Sequence, residues 1–84
     1  MNQHLTHGEL AQLIKTRAGI TIEPEALRNP GATFDEFGVD SLGLLGIVGE
    51  LENRYGRKIA AGAEMSKSPD EFLDAVNTSI TAGA

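Results

Sequence analysis

Positions 20–39, "ITIEPEALRNPGATFDEFGV", separate two segments that each carry their own helix-start and helix-stop signals. A connection of that length inside a small domain needs a reason, because most loops in compact domains are far shorter. This one carries apolar anchors, Ile20, Ile22, Leu27, Phe34 and Phe37. The expectation is therefore an ordered crossover pinned to a core. Asn29-Pro30-Gly31 reads as a turn, and Pro24 opens a short helical turn. A crossover of this reach frees the flanking helices from a tight antiparallel hairpin and lets them run roughly parallel.

The helices themselves are signalled locally. Thr6 with Glu9 forms a capping box, and Leu5 with Leu10 a hydrophobic staple. Leu10, Leu13, Ile14 and Ala18 follow a helical period, Lys15 and Arg17 complement the last turn, and Gly19 supplies the stop. The first helix is thus expected over about 6–18. A second is expected over 41–55, with Asp40 as N-cap, a Val39–Leu44 staple and Gly56 as terminator. A short turn is expected near 61–65. Ser68, Pro69 at the first helical position and Glu71 completing a box open a last helix over about 68–80. Phe72, Leu73, Val76 and Ile80 form its inner face, and the tail "TAGA" is expected to fray. No useful β alternation is present. The predicted fold is all-α: a small bundle of three main helices plus a short fourth, in a single domain spanning 1–84.

Several function classes drop out on charge and composition. The net charge is −5, and because phosphate binding needs a basic patch, nucleic acid is not an expected partner. Basic protein surfaces suit this charge better. No cysteine is present, which removes disulfides and thiolate zinc sites. The N-terminal residues lack a basic-then-apolar signal pattern, and no apolar run reaches the ~20 residues a membrane span requires. A cytoplasmic monomer is expected.

Ser41 is the residue that most invites a function. With Asp40 as cap it falls at the first helical position, near unpaired backbone N–H groups and the positive end of the helix dipole. A plain polar first-turn residue would look the same. A hydrolase nucleophile would not: the elbow needs glycine on both sides, and position 39 is valine. His4 and His7, the only histidines, have nothing to orient them as a base. Asp35, Glu36 and Asp40 are too few for a calcium loop.

The second helix divides into two faces. Leu44, Ile47, Val48, Leu51 and Tyr55 fall at helical spacing and form the buried stripe. Ser41, Leu45, Gly49 and Glu52 share another stripe off the core, with Leu42 on the border. Leu45 is not needed for folding there and, with Ser41, Leu42 and flanking acids, suggests a docking surface. Gly43, Gly46 and Gly49 weaken the helix by up to about 1 kcal/mol each relative to alanine. Tolerated drift and close approach of a partner both account for them.

"FGVDSLGLLGIVGELENRYG", followed by "SPDEFLDAVN", resembles the acyl carrier proteins, and within them the discrete carriers of type II aromatic polyketide synthases. The likeness spans nearly the whole chain. Peptidyl carriers usually show G-G-x-S, which Val39 and Asp40 do not match. The resemblance implies a 4′-phosphopantetheine arm on Ser41, installed from coenzyme A by a phosphopantetheinyl transferase that uses Mg²⁺. It implies a non-catalytic carrier whose working thiol belongs to the arm. Its partners would be a ketosynthase with its chain-length factor, a malonyl transferase, and a ketoreductase or cyclase. Glu36, Asp40, Leu42, Leu45, Gly49 and Glu52 are the expected docking residues, with Glu50 and Glu64 as further acids. A fatty-acid or peptidyl carrier, and a small helical interaction module, are the alternatives.

Overall fold

The structure is a computed structural model that describes residues 4–81. Five α-helices and one 3-10 turn follow in order: α1 (His7–Ala18), α2 (Pro24–Arg28), α3 (Phe34–Phe37), α4 (Ser41–Tyr55), the 3-10 turn (Ala63–Met65) and α5 (Pro69–Thr81). No strand is found among the described residues. The three long helices are those signalled by their caps. The short turn anticipated near 61–65 is the 3-10 segment.

The helix ends form through the local chemistry that the sequence encodes. At α1, the Thr6 hydroxyl accepts from the Glu9 N–H at 3.2 Å, and the Glu9 carboxylate accepts from the Thr6 N–H at 3.2 Å. Gly19 closes the helix at φ 72°, a left-handed conformation that a side chain would strain. At α5, Ser68 accepts from the Glu71 N–H at 3.1 Å. Glu71 itself reaches one residue further back than a capping box requires and accepts from the Lys67 N–H at 2.6 Å. Thr81, the first residue of the expected fraying tail, still belongs to α5, and the rest of that tail lies outside the described residues.

The crossover holds more helix than its composition suggests. Pro24 does open α2. The second short helix, α3, begins after Thr33, whose N–H donates to the Glu36 carboxylate at 2.9 Å. Leu27 and Phe34 are buried, and Ile20, Ile22 and Phe37 pack against the core from its margin. Ordered anchoring of this kind offsets the backbone entropy that a twenty-residue loop would otherwise retain.

One core unites these pieces. Leu10 and Ile14 from α1, Leu27 from α2, Leu44, Ile47 and Leu51 from α4, and Phe72 and Val76 from α5 are fully or almost fully shielded. Side chains of this size contribute about 1.5–3 kcal/mol each when fully buried. Phe34 meets Phe72 edge-on, with ring centroids 5.9 Å apart and planes at 87°. The N-terminal segment is fastened by Asn77, whose amide bonds both backbone groups of Leu5, at 2.6 Å to the N–H and 3.0 Å to the carbonyl. α4 thereby presents one buried stripe inward, and its first turn opens toward the 3-10 turn.

Candidate functional site

The chain approaches α4 through a sharp, well-specified turn. Gly38 ends α3 at φ 77°, and the Val39 N–H donates back to the Phe34 carbonyl at 3.0 Å. Val39 is buried, which fixes the direction in which Asp40 enters. Asp40 is extended, and its carboxylate accepts from the Gly43 N–H at 2.9 Å. Ser41 is consequently the first helical residue, exposed, at the positive end of a fifteen-residue helix. Among the described residues nothing hydrogen-bonds its hydroxyl. A negatively charged substituent there is stabilised by the helix dipole and the first-turn N–H groups.

Beside Ser41 lies a cleft of about 430 Å³, bounded by α3, the start of α4 and the 3-10 turn with the strand of chain that follows it. Phe34, Val39, Leu44 and Met65 give it apolar walls, while Asp35, Asp40, Glu64 and Lys67 mark its polar rim. The Phe34 N–H donates to the Lys67 carbonyl at 2.9 Å, tying two walls together. Neither histidine reaches this cleft. His4 and His7 line a separate depression, where His7 lies 3.0 Å from Asp70. Ser41 therefore has no histidine beside it to serve as the base of a triad.

The expected docking residues fall into two groups. Leu42 and Leu45 are 76% and 50% exposed, large values for leucines this close to one exposed serine. Leu42 is thus farther from the core than its border position on a helical wheel suggests. Gly49 is exposed as well. The acids are mostly engaged. Glu36 and Asp40 are exposed but cap α3 and α4. Glu52 accepts from the Ile59 N–H at 3.0 Å and so organises the chain after α4. Glu50 pairs with Arg17 and, at 3.6 Å, with Arg54. The hydrogen bond and charge of Arg17, reinforced by Arg54 and opposed by burial, hold its carboxyl below the ordinary value of 4.5. The Arg17–Glu50 and Glu52–Ile59 contacts are not readable from spacing, whereas Glu50–Arg54 is an i,i+4 pair. α3 was readable: Thr33, Glu36 and Gly38 form a box-and-stop signal inside the apparent loop.

An exposed serine at a helix tip, an apolar cleft beside it and an all-helical frame suit a carrier that holds its cargo on a tether. Residues 8–76 match the family model of the phosphopantetheine attachment site. The chain belongs to that family, whose cofactor is 4′-phosphopantetheine. It is 51% identical over 80 residues to the curamycin polyketide synthase acyl carrier protein of Streptomyces cyaneus, covering 95% of this chain and 92% of that one. It is 45% identical to a probable acyl carrier protein of Streptomyces coelicolor over 99% of this chain and 93% of the relative. The solution structure of the oxytetracycline acyl carrier protein superposes with a TM-score of 0.74 at 30% identity, covering 98% of this chain and 88% of that one.

The residues around Ser41 suit the group. A phosphodiester needs an accessible oxygen and tolerates neighbours that donate hydrogen bonds, and the first turn of α4 provides both. The apolar walls lie within reach of whatever is tethered there. Among the described residues no group of three or more His, Cys, Asp and Glu is arranged to hold a metal ion. No helix among them is long and apolar enough to cross a membrane.

Proposed function

We propose that Ser41 carries the 4′-phosphopantetheine arm, and that this chain holds growing polyketide intermediates and extender units as thioesters for partner synthase enzymes in the cytoplasm. The observation that carries the reading is the Ser41 hydroxyl itself, exposed and without a hydrogen-bond partner among the described residues, at the first position of α4 beside an apolar cleft. When bound, the arm supplies the thiol, and its thioester activates both the acyl carbonyl and the carbon next to it. The protein's own part is to present the tether, to be recognised, and to release its cargo, with no catalysis.

Recognition is expected around the tip of α4. Leu42, Leu45 and Gly49 supply an apolar, low-profile surface, flanked by Glu36, Asp40 and Glu52. Glu36, Asp40 and Glu52 accept backbone N–H bonds yet keep their charge, so they flank this surface with negative charge while Leu42 and Leu45 supply its apolar contact. Its partners are the transferase that loads the arm, a ketosynthase with its chain-length factor, a malonyl transferase, and a ketoreductase or cyclase. The names of the curamycin and oxytetracycline relatives favour a polyketide cargo over a fatty-acid or peptidyl one.

Reconstitution tests this directly. The loaded chain is supplied with malonyl-coenzyme A and a minimal aromatic polyketide synthase, and then separately with a fatty-acid elongation system. Polyketide product from the first mixture, dependent on this chain, is the expected result. Elongation only in the second mixture would instead make it a fatty-acid carrier. Activity in neither would favour an interaction module.

A further inference from the structure

The rim of the cleft beside Ser41 carries three carboxylates, from Asp35, Asp40 and Glu64, and one cation, Lys67. Asp40 is committed to the Gly43 N–H. Glu71, the nearest downstream acid that bonds this segment, spends its carboxylate on the Lys67 backbone N–H at 2.6 Å. The Lys67 carbonyl is held in turn by the Phe34 N–H at 2.9 Å. The backbone of Lys67 is thus fixed from both sides, while its side chain is exposed. None of the ion pairs among the described residues involves its ammonium. The other lysines, Lys15 in α1 and Lys58 beyond α4, do not line this cleft.

We infer that Lys67 is a positioning residue whose ammonium serves as the counter-charge for the phosphodiester on Ser41, aligning the arm with the cleft. This rests on the reading of Ser41 as the attachment residue. A phosphodiester adds a further negative charge to a rim already rich in carboxylates, and a cation on the same rim lowers its repulsion by Asp35, Asp40 and Glu64. The α4 dipole counters part of it. A compact ammonium on a flexible stem suits the remainder, because it tracks a phosphate as a point charge without demanding one fixed geometry. Such an interaction is partly solvated and is weakened by salt.

Reductive ¹³C-methylation keeps the charge of each lysine and gives each a reporter NMR signal, with Lys67 assigned by its loss in Lys67→Arg. Apo and holo chains are compared, each verified by intact mass. On loading, the Lys67 signal is expected to move while those of Lys15 and Lys58 stay, and the movement shrinks in about 0.5 M salt. In the holo chain, Lys67→Gln shifts the ³¹P signal of the phosphodiester and Lys58→Gln does not. A Lys67 signal that stays put in mass-verified holo chain, or a ³¹P signal indifferent to Lys67→Gln, overturns the role of Lys67 and leaves Ser41 standing. A chain that keeps its apo mass defeats both.

Discussion

Alanine at Gly46 and Gly49 stabilises the fold. Both glycines lie in the interior of α4 on its exposed side, and beyond the helix's own adjacent backbone a Cβ built at either meets nothing within 4 Å. Neither has positive φ; among the described residues that conformation belongs to Gly19, Gly38, Gly56 and Gly62 alone. A methyl group therefore enters open space on a backbone already suited to it. The gain comes from the unfolded chain, which loses conformational freedom, and amounts to about 0.8–1 kcal/mol at each position. Both gains arise in the unfolded chain and not from a shared contact, so the double variant gains about 1.6–2 kcal/mol. For a domain of this size that raises Tm by about 8–16 °C. Urea unfolding followed by helical circular dichroism measures it, with the midpoint rising and the slope unchanged. A midpoint that stays or falls would show that the exposed side of α4 is not the open surface described. The same variant separates two readings of the glycine strip. Unaltered transfer to the ketosynthase marks it as tolerated drift, whereas a stabilised but slower carrier marks a surface kept bare for close approach.

Other outcomes follow from single contacts. Asn77→Ala strands both backbone groups of Leu5, and a loss of about 1–3 kcal/mol in urea unfolding is expected. Asp40→Ala removes the cap of α4 and costs about 1 kcal/mol by the same measurement. Glu50 has its folded pKa lowered below 4.5, chiefly by Arg17. Its contribution is therefore present above the unfolded pKa and is lost as pH falls through the folded one. Glu50→Gln should flatten the acid limb of a plot of urea midpoint against pH, and an unchanged acid limb would show the pairing to be inert. Leu45→Asp leaves Tm within a few degrees, since Leu45 is half exposed, yet slows acyl transfer to the ketosynthase. Unchanged transfer kinetics would remove Leu45 from the docking surface.

What the sequence revealed depended on range. Thr6 with Glu9, Asp40 with Gly43, and Ser68 with Glu71 act over three residues, so the three long helices could be placed from spacing alone. The four residues of α3 are too few to show a period, and only Thr33, Glu36 and Gly38 betray it. Contacts across the fold left no local trace. Arg17 meets Glu50 only because α1 packs on α4, and His7 meets Asp70 only because the starts of α1 and α5 adjoin. For the same reason charge counting could not show that Glu50 and Glu52 have partners within the chain. The place of Ser41 at the first turn of α4 was legible because its cap and its neighbours in the sequence are local. The cleft beside it was not, because its far wall comes from residues 64–67.

The most direct measurement is the intact mass of the pure chain after incubation with coenzyme A, Mg²⁺ and a promiscuous phosphopantetheinyl transferase, followed by peptide mapping. A single phosphopantetheinyl addition is expected, located on Ser41 and abolished in Ser41→Ala. A chain that remains unmodified, or one loaded at another hydroxyl while Ser41 stays bare, would contradict it.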